Sequence, residues 1–263
     1  MHMPQHERLN RLFFKGFTAL DLAEPLVSFD AETDAGQVRR FLADRDFDCA
    51  GLRVQGLVRG YVRREDLGAG RCGEHLISFG AEDQLLPESA SLVAVVGVLS
   101  HHRRCFVTLL DQPAAIITLS DLEKPPMRMF LFGVITLAEM AMTEILRRNY
   151  GGEAWRDALS PARVQKAVEL QAERERRGQR AELIDCLQFG DKGAILSYDK
   201  AFQEALGFTS RREVRQAVNE LEMLRNNLAH TQAIVPDGWQ RIVIVCGRME
   251  QNLERFYRMQ APG

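Results

Sequence analysis

The sequence predicts an α+β chain: two α/β units in tandem, followed by an all-α helical bundle. Three features predict it. A strand–helix–hairpin pattern runs twice within the first 126 residues. Pro125-Pro126 then interrupts the chain. Beyond it, apolar residues recur at helical spacing. The 263 residues suffice for two domains, placed at 1–126 and 127–263.

In the first unit, Leu26-Val27-Ser28-Phe29 reads as a strand. Asp34 caps a helix with Gln37 three residues on, and Val38, Phe41 and Leu42 supply its buried face. Cys49 to Val54 and Gly56 to Val62 read as two strands, followed by Arg64-Glu65-Asp66-Leu67. The order then repeats. Ile77-Ser78-Phe79 reads as the opening strand and Ser91 to Leu99 as an apolar helix. Cys105 to Leu110 and Ala114 to Ile117 form a hairpin around Asp111-Gln112-Pro113, and Thr118-Leu119-Ser120-Asp121-Leu122 closes the unit.

Pro125-Pro126 ends the preceding helix and makes a short, stiff joint. The next helix, 129–146, is apolar nearly all round, so it is buried on more than one side. Its extra face suits a second subunit, and a homodimer is expected. Ser160-Pro161 opens a further helix that ends in the charged run Glu173 to Arg180, a solvated end. Ser210 and Glu213 form a capping box that starts a helix near 211. Val214, Val218, Leu221, Leu224 and Leu228 form its core stripe. Trp155 and Trp239 are packing residues, and the last helix carries Ile242, Val243, Val245, Met249, Leu253 and Phe256 toward the core.

Composition narrows the function. Hydrophobic residues make up 46% and charged residues 27%, which describes a folded chain. A net charge of −2 argues against a general nucleic-acid binder held by bulk charge, and no DNA partner is expected. Residues 1–126 carry 14 basic and 18 acidic side chains, net −4; residues 127–263 carry 20 and 18, net +2. Five scattered cysteines without a Cys-x-x-Cys pair fit reduced thiols in a cytoplasm. The polar start carries no signal-peptide pattern. The apolar run Met129 to Ala138 is too short to span a bilayer, so no membrane association is expected. His101-His102 lacks a second ligand pair and is read as a surface feature; no metal site is expected.

The chemistry-bearing constellation is Arg225-Asn226-Asn227-Leu228-Ala229-His230. Histidine both takes and gives a proton near neutral pH. Arginine is always charged, and its planar fork matches a phosphate. Asparagine can hold a phosphate oxygen or orient a neighbour. On a helix, Asn226 and His230 share one face and Arg225 flanks it, so the three could reach one phosphodiester. The same residues also fit a polar edge on a packed helix.

Leu224 to His230 resembles the Arg-x4-6-His signature of HEPN domains, including the polar residue right after the arginine. The flanks agree: the apolar helix 129–146, the stretch 181–190 and a closing helix near 238–257. The resemblance covers about 127–263. It implies a small dimerising α-bundle. It also implies a metal-independent endoribonuclease that leaves 2′,3′-cyclic phosphate ends, with Arg225, Asn226 and His230 as catalytic residues and no catalytic cofactor. Some HEPN members bind without cutting. The alternative is therefore a non-catalytic nucleotide-sensing regulatory or scaffold dimer that binds RNA or a protein partner.

In the first half, Gly60-Tyr61-Val62-Arg63-Arg64-Glu65-Asp66-Leu67 and Ala115-Ile116-Ile117-Thr118-Leu119-Ser120-Asp121-Leu122 resemble the Gly-x-hydrophobic-Thr/Ser-x-x-Asp pattern of cystathionine-β-synthase (CBS) domains. Two such units make a tandem CBS pair, or Bateman module. The resemblance implies an adenine nucleotide (ATP, ADP, AMP or a relative) as regulatory ligand, its ribose held by hydroxyl and carboxylate. The second copy keeps Thr118 and Asp121, with Ala115 in place of the glycine. The first has Arg63 where the hydroxyl belongs and keeps Asp66; Arg63 could meet a phosphate instead. Both aspartates also fit plain N-caps of short helices.

Overall fold

The structure, a computed structural model, describes residues 5–80, 85–150, 152, 154–229 and 234. It divides into two compact units. One is Lys15–Met127; the other joins the residues up to Phe14 to those from Arg128 onward. The fold is α+β, with sheets in the first unit and helices in the second.

The sheet unit contains two four-stranded sheets of the same topology. Strands β2 (Ser28–Asp30), β3 (Cys49–Val54), β4 (Leu57–Arg63) and β5 (Ile77–Ser78) form one, in that order. Strands β6 (Leu85–Pro87), β7 (Arg104–Leu109), β8 (Gln112–Thr118) and β1 (Glu24–Pro25) form the other, in the order β6-β7-β8-β1. The β2–β3 and β6–β7 pairs are parallel. A parallel pair needs a crossover, and α2 (Ala35–Asp44) and α3 (Leu92–Leu99) supply it. Asp34 caps α2 as expected, the Gln37 amide donating to its Oδ1 at 2.8 Å, and Ser91, expected inside α3, instead caps it, the Ala94 amide donating to its Oγ at 3.2 Å.

The fourth strand of each sheet is exchanged. β1 precedes the first repeat but pairs antiparallel with β8 of the second, and β5 precedes the second repeat but pairs with β4 of the first. This corrects two sequence expectations. Ile77-Ser78 completes the first sheet, and Leu85–Pro87 opens the second repeat. The stretch expected as one strand at 26–29 lies between Glu24–Pro25 in one sheet and Ser28–Asp30 in the other. Short strands of this kind are decided by which edge is free, not by their own pattern.

The duplication reaches the details. Each hairpin turns through two residues of positive φ: Gln55 (53°) and Gly56 (80°), then Leu110 (50°) and Asp111 (60°). These angles suit the right-handed twist of a hairpin. The second turn lies ahead of the expected Asp111-Gln112-Pro113, because Gln112 already pairs with Leu109 and Pro113 with Thr108. Both hairpins carry a register shift at equivalent places, Leu52/Arg53 and Val107/Thr108. Gly60 pairs with Ser78, and a Cβ there would overlap the Ile77 carbonyl. The motif glycine is thus required by the close approach of β5. Between the repeats, the Phe106 ring sits 4.9 Å from both Tyr61 and Phe79.

The helical unit contains α1 (Gln5–Lys15), α4 (Pro125–Asn149), α5 (Pro161–Arg176), α6 (Phe189–Leu196), α7 (Lys200–Ala205) and α8 (Arg211–Ala229). α1 has no forewarning in the sequence reading; Phe14 packs edge-on against Phe130 at 5.8 Å. Pro125 and Pro126 stand inside the first turn of α4 rather than before it. There a missing N–H costs nothing, because first-turn amides have no helical partner. α4 is 25 residues long, apolar and long enough to cross a membrane by length and composition, with 61% of its most apolar window buried in the protein. Phe130, Leu131, Val134, Ile135, Leu137, Ile145 and Leu146 are buried, whereas Met129 and Phe132 are exposed. Trp155 is buried, as packing requires. The charged end of α5 resolves into local pairs of Glu173 with Arg176 and Arg177, and Gly178 (φ 74°) ends the helix.

α6 is the hub of this unit. Phe189, Ile195 and Leu196 are buried, and so are two charges, Asp191 and Lys192. Lys192 Nζ meets Glu139 Oε1 of α4 at 2.9 Å, and Arg163 of α5 donates to Asp191 Oδ1 at 2.7 Å. A Cβ on Gly193 would overlap Val218, so α8 lies against α6 at that point. A buried charge is tolerated only while paired. Glu139→Ala should destabilise the protein by about 2–4 kcal/mol, since it strands Lys192, whereas Lys192→Met, which removes the buried charge itself, should cost far less. Urea unfolding of the two variants measures the difference; equal losses would refute the asymmetry.

Candidate functional site

The core stripe of α8 places its polar residues. Val214, Ala217, Val218, Leu221 and Leu224 are buried. Leu228, expected in the same stripe, is only half-buried. The start of α8 is a modified capping box: the Glu213 amide donates to Ser210 Oγ at 3.3 Å, while the Glu213 carboxylate accepts from the Thr209 amide at 2.7 Å.

At the other end, the three consecutive polar residues have different surroundings. Asn227 is half-buried, and its Nδ2 donates to the Ile234 carbonyl at 3.3 Å. Ile234 is buried. Asn227 is therefore a structural tether. Arg225 is half-buried and Asn226 exposed, and neither has a hydrogen bond or ion pair among the described residues. Elsewhere in this unit Arg147, Arg148, Arg163, Arg176 and Arg177 are all ion-paired. A partly buried guanidinium whose donors meet no partner among the described residues is suited to donate to a phosphate. His230, Trp239, Cys246 and the expected closing helix lie outside the described residues.

In the sheet unit, the two motif ends differ. Thr118 and Asp121 form a closed cap. Asp121 Oδ2 accepts from the Thr118 amide at 2.7 Å and from its hydroxyl at 2.8 Å. Asp121 Oδ1 pairs with Lys124 Nζ at 2.9 Å. Lys124 also donates to the Leu22 carbonyl at 2.7 Å and pairs with Glu24. Burial alone would lower the Lys124 pKa, but its hydrogen bonds to Glu24 and Asp121 and their charges raise it overall. A ribose gripped by Asp121 must therefore replace Thr118 or Lys124 as its partner. In the first copy, Arg63 Nε donates to Asp66 at 2.5 Å and its other arm meets Glu65 at 3.3 Å. Arg63 is thus engaged by carboxylates, and Asp66 serves it rather than a hydroxyl.

The same cap recurs before each repeat. The Thr18 amide donates to Asp21 at 2.7 Å, and the Arg71 amide to Glu74 at 3.3 Å. A carboxylate three residues on, satisfying an amide at a 3₁₀ turn, is thus the common device of this unit.

Two residues that the sequence reading left aside stand at the junction of the repeats. Arg104 opens β7 opposite Thr118, and Cys49 occupies the equivalent place in β3, opposite Arg63. The guanidinium of Arg104 lies 5.9 Å from the centre of the Tyr61 ring, and its Nη1 is buried with no hydrogen-bond partner. Burial pushes the Cys49 thiol up in pKa, with the Arg104 charge and hydrogen bond opposing. Burial also pushes Cys105 up to about 12, aided by the Asp121 charge. A half-buried guanidinium with one unmet, buried Nη1 beside an aromatic ring fits an anionic, ring-bearing ligand. The signal was a lone arginine heading an apolar strand, hidden in the run His101-His102-Arg103-Arg104. Among the described residues, no group of three or more His, Cys, Asp or Glu side chains converges.

Comparison with known proteins bears on both units. Residues 138–253 match the Swt1-like HEPN family. No curated protein matches the chain. Solved structures resemble its sheet unit. A CBS-pair protein, CBSX2 from Arabidopsis thaliana, is 14% identical, covers 43% of this chain and 96% of its own, and has a TM-score of 0.38. Hypoxic Response Protein I, described with two coordinated zinc ions, is 16% identical over 40% of this chain and 96% of its own, with a TM-score of 0.34. The CBS domain of a bacterial CNNM/CorC family Mg2+ transporter, in complex with ATP, is 13% identical over 45% and 94%, with a TM-score of 0.36. Residues 138–253 thus carry a Swt1-like HEPN match, and the sheet unit before them has the duplicated strand–helix–hairpin arrangement expected of a tandem CBS pair.

Proposed function

We propose that this protein is a metal-independent endoribonuclease of HEPN type, regulated by an adenine nucleotide bound to its CBS pair. The observation that carries the reading is the separation of roles within α8. Asn227 is consumed by a structural tether, while Arg225 and Asn226 beside it present donors unused among the described residues.

In the proposed reaction, the ribose 2′-OH attacks phosphorus and the 5′-oxygen leaves, giving a 2′,3′-cyclic phosphate and a 5′-OH. His230 acts as the base or the acid. Arg225 stabilises the charge that builds on the phosphorane-like transition state. Asn226 orients His230 or a phosphate oxygen. A base and an acid are both needed, and a homodimer that brings two motifs to one cleft supplies them. The exposed pair Met129 and Phe132 on α4 suits that dimer contact.

For regulation, Arg104 is the proposed phosphate ligand and Thr118 with Asp121 the ribose ligands. The unpartnered Nη1 of Arg104 and the tyrosine beneath it support this placement. To regulate cleavage, the nucleotide must favour one arrangement of the chain over another.

Purified protein should cleave total RNA in EDTA and leave cyclic phosphate ends, with a rate that changes on adding ATP, ADP or AMP. His230→Ala should lower cleavage by about two to four orders of magnitude without loss of folding. Arg225→Lys should also fail, because an ammonium lacks the two-pronged geometry. Undiminished cleavage by His230→Ala would sink the assignment. Calorimetry tests the nucleotide site. Arg104→Gln and Asp121→Ala should each weaken binding at least about tenfold, the loss expected for one charge-assisted contact. Asp66→Ala should matter less. No heat with any of the three nucleotides would reduce the CBS pair to a structural module.

A further inference from the structure

A second surface of the helical unit has the chemistry to hold the substrate away from the reacting phosphate. Tyr198 follows α6 and is 49% exposed. Arg211 lies over its ring, 3.5 Å from the centre, and Arg215 approaches at 5.7 Å while donating to the Tyr198 hydroxyl at 3.4 Å. Both arginines are exposed, and neither is ion-paired among the described residues. The neighbouring carboxylates are committed elsewhere: Asp199 accepts from the Phe202 amide and from Asn149, and Glu213 holds Thr209. The result is a flat aromatic–guanidinium stack carrying uncompensated positive charge, in a chain whose net charge is −2.

Its place on α8 gives it direction. At about 100° per residue, Arg211, Arg215, Arg225 and Asn226 fall within a stripe about 100° wide that overlaps the edge of the buried one at Arg225. From Arg215 to Asn226 the helix rises about 16 Å, or roughly five nucleotides at the ~3.4 Å spacing of stacked bases. Bases stack on aromatic rings and on guanidinium planes, while free arginine donors take phosphates.

We propose that Tyr198, Arg211 and Arg215 form a stacking subsite for single-stranded RNA, holding the strand several nucleotides from the phosphodiester at Arg225 and Asn226. The inference rests on the ribonuclease reading and narrows its substrate to an unpaired strand. A duplex keeps its bases stacked on each other and offers this surface no free base face.

Fluorescence anisotropy with a labelled 2′-O-methyl oligouridine of 12 nucleotides tests it. The methyl group blocks the attacking hydroxyl, so binding is read without cleavage. Tyr198→Ala should weaken binding about tenfold, and Tyr198→Phe, which keeps the ring, should stay within about twofold of the parent. The Arg211→Glu/Arg215→Glu variant should weaken it further and flatten the salt dependence by about 1.4 in log–log slope, the release expected of two phosphate contacts on a single strand. Unchanged 12-mer binding by Tyr198→Ala and by the double variant would overturn the proposal, as would equal losses from Tyr198→Ala and Tyr198→Phe. Cleavage of total RNA by the parent protein, run in parallel, separates the two readings. Cleavage with Tyr198-independent binding removes this subsite alone. Tyr198-dependent binding without cleavage removes the ribonuclease and leaves an RNA-binding surface.

Discussion

The sheet unit depends on one constraint: neither repeat can finish its own sheet. Each has three strands and an open edge at its last one. An open edge leaves a row of unpaired amide and carbonyl groups. The two residues Glu24–Pro25 close the second sheet and Ile77–Ser78 close the first. The exchange forces the repeats to fold as a pair. It also brings the starts of β3 and β7 together, so that Arg104 meets Cys49 and Tyr61. The motif glycine at 60 exists for this reason, since only a residue without Cβ lets β5 approach. Its counterpart, Ala115, pairs with Pro25 and keeps its side chain.

The helical unit obeys a different constraint, the pairing of charges inside an apolar core. α6 is short, and its own propensity contributes little. It is held by Lys192 reaching α4 and Asp191 reaching α5. Gly193 then lets Val218 close in, which brings α8 against α6 along its buried stripe. The rotation of α8 about its axis follows from that stripe. It leaves Arg225 and Asn226 at the rim and turns Asn227 toward Ile234. Site geometry is here a by-product of core packing.

Carboxylates in the CBS pair serve the chain before they serve any ligand. Thr18/Asp21, Arg71/Glu74 and Thr118/Asp121 all close 3₁₀ turns in the same way. A nucleotide proposed at Asp121 would compete with an internal cap and with Lys124, so occupancy and local structure would be coupled at that turn. Arg104 is in the opposite condition, with a buried donor unmet. One saturated and one unsaturated partner thus stand at the same strand ends, and the regulation proposed above would draw on both.

Much of this was legible in the sequence, and the reasons are local. Helix caps at Asp34 and Ser210, the stripe of α8, the double hairpin and the Arg225–His230 spacing depend on neighbours a few residues away. Local propensity and periodicity record such features directly. The amino-acid sequence by itself determined the two-part α+β architecture and the residue types available for chemistry. Only the tertiary structure decided which edge each two-residue strand would join, that α1 goes with the helical unit, and that Arg63 is engaged by Asp66 and Glu65. It also decided that Arg104 is left with a free buried donor and that, among the described residues, Asn226 has no partner where Asn227 is tethered. Each of those outcomes turns on a partner far away in the chain or on the rotation of a helix against its neighbour. Contacts of that kind leave no period in the sequence, because they are settled by whichever donor, acceptor or cavity the folded chain brings within reach.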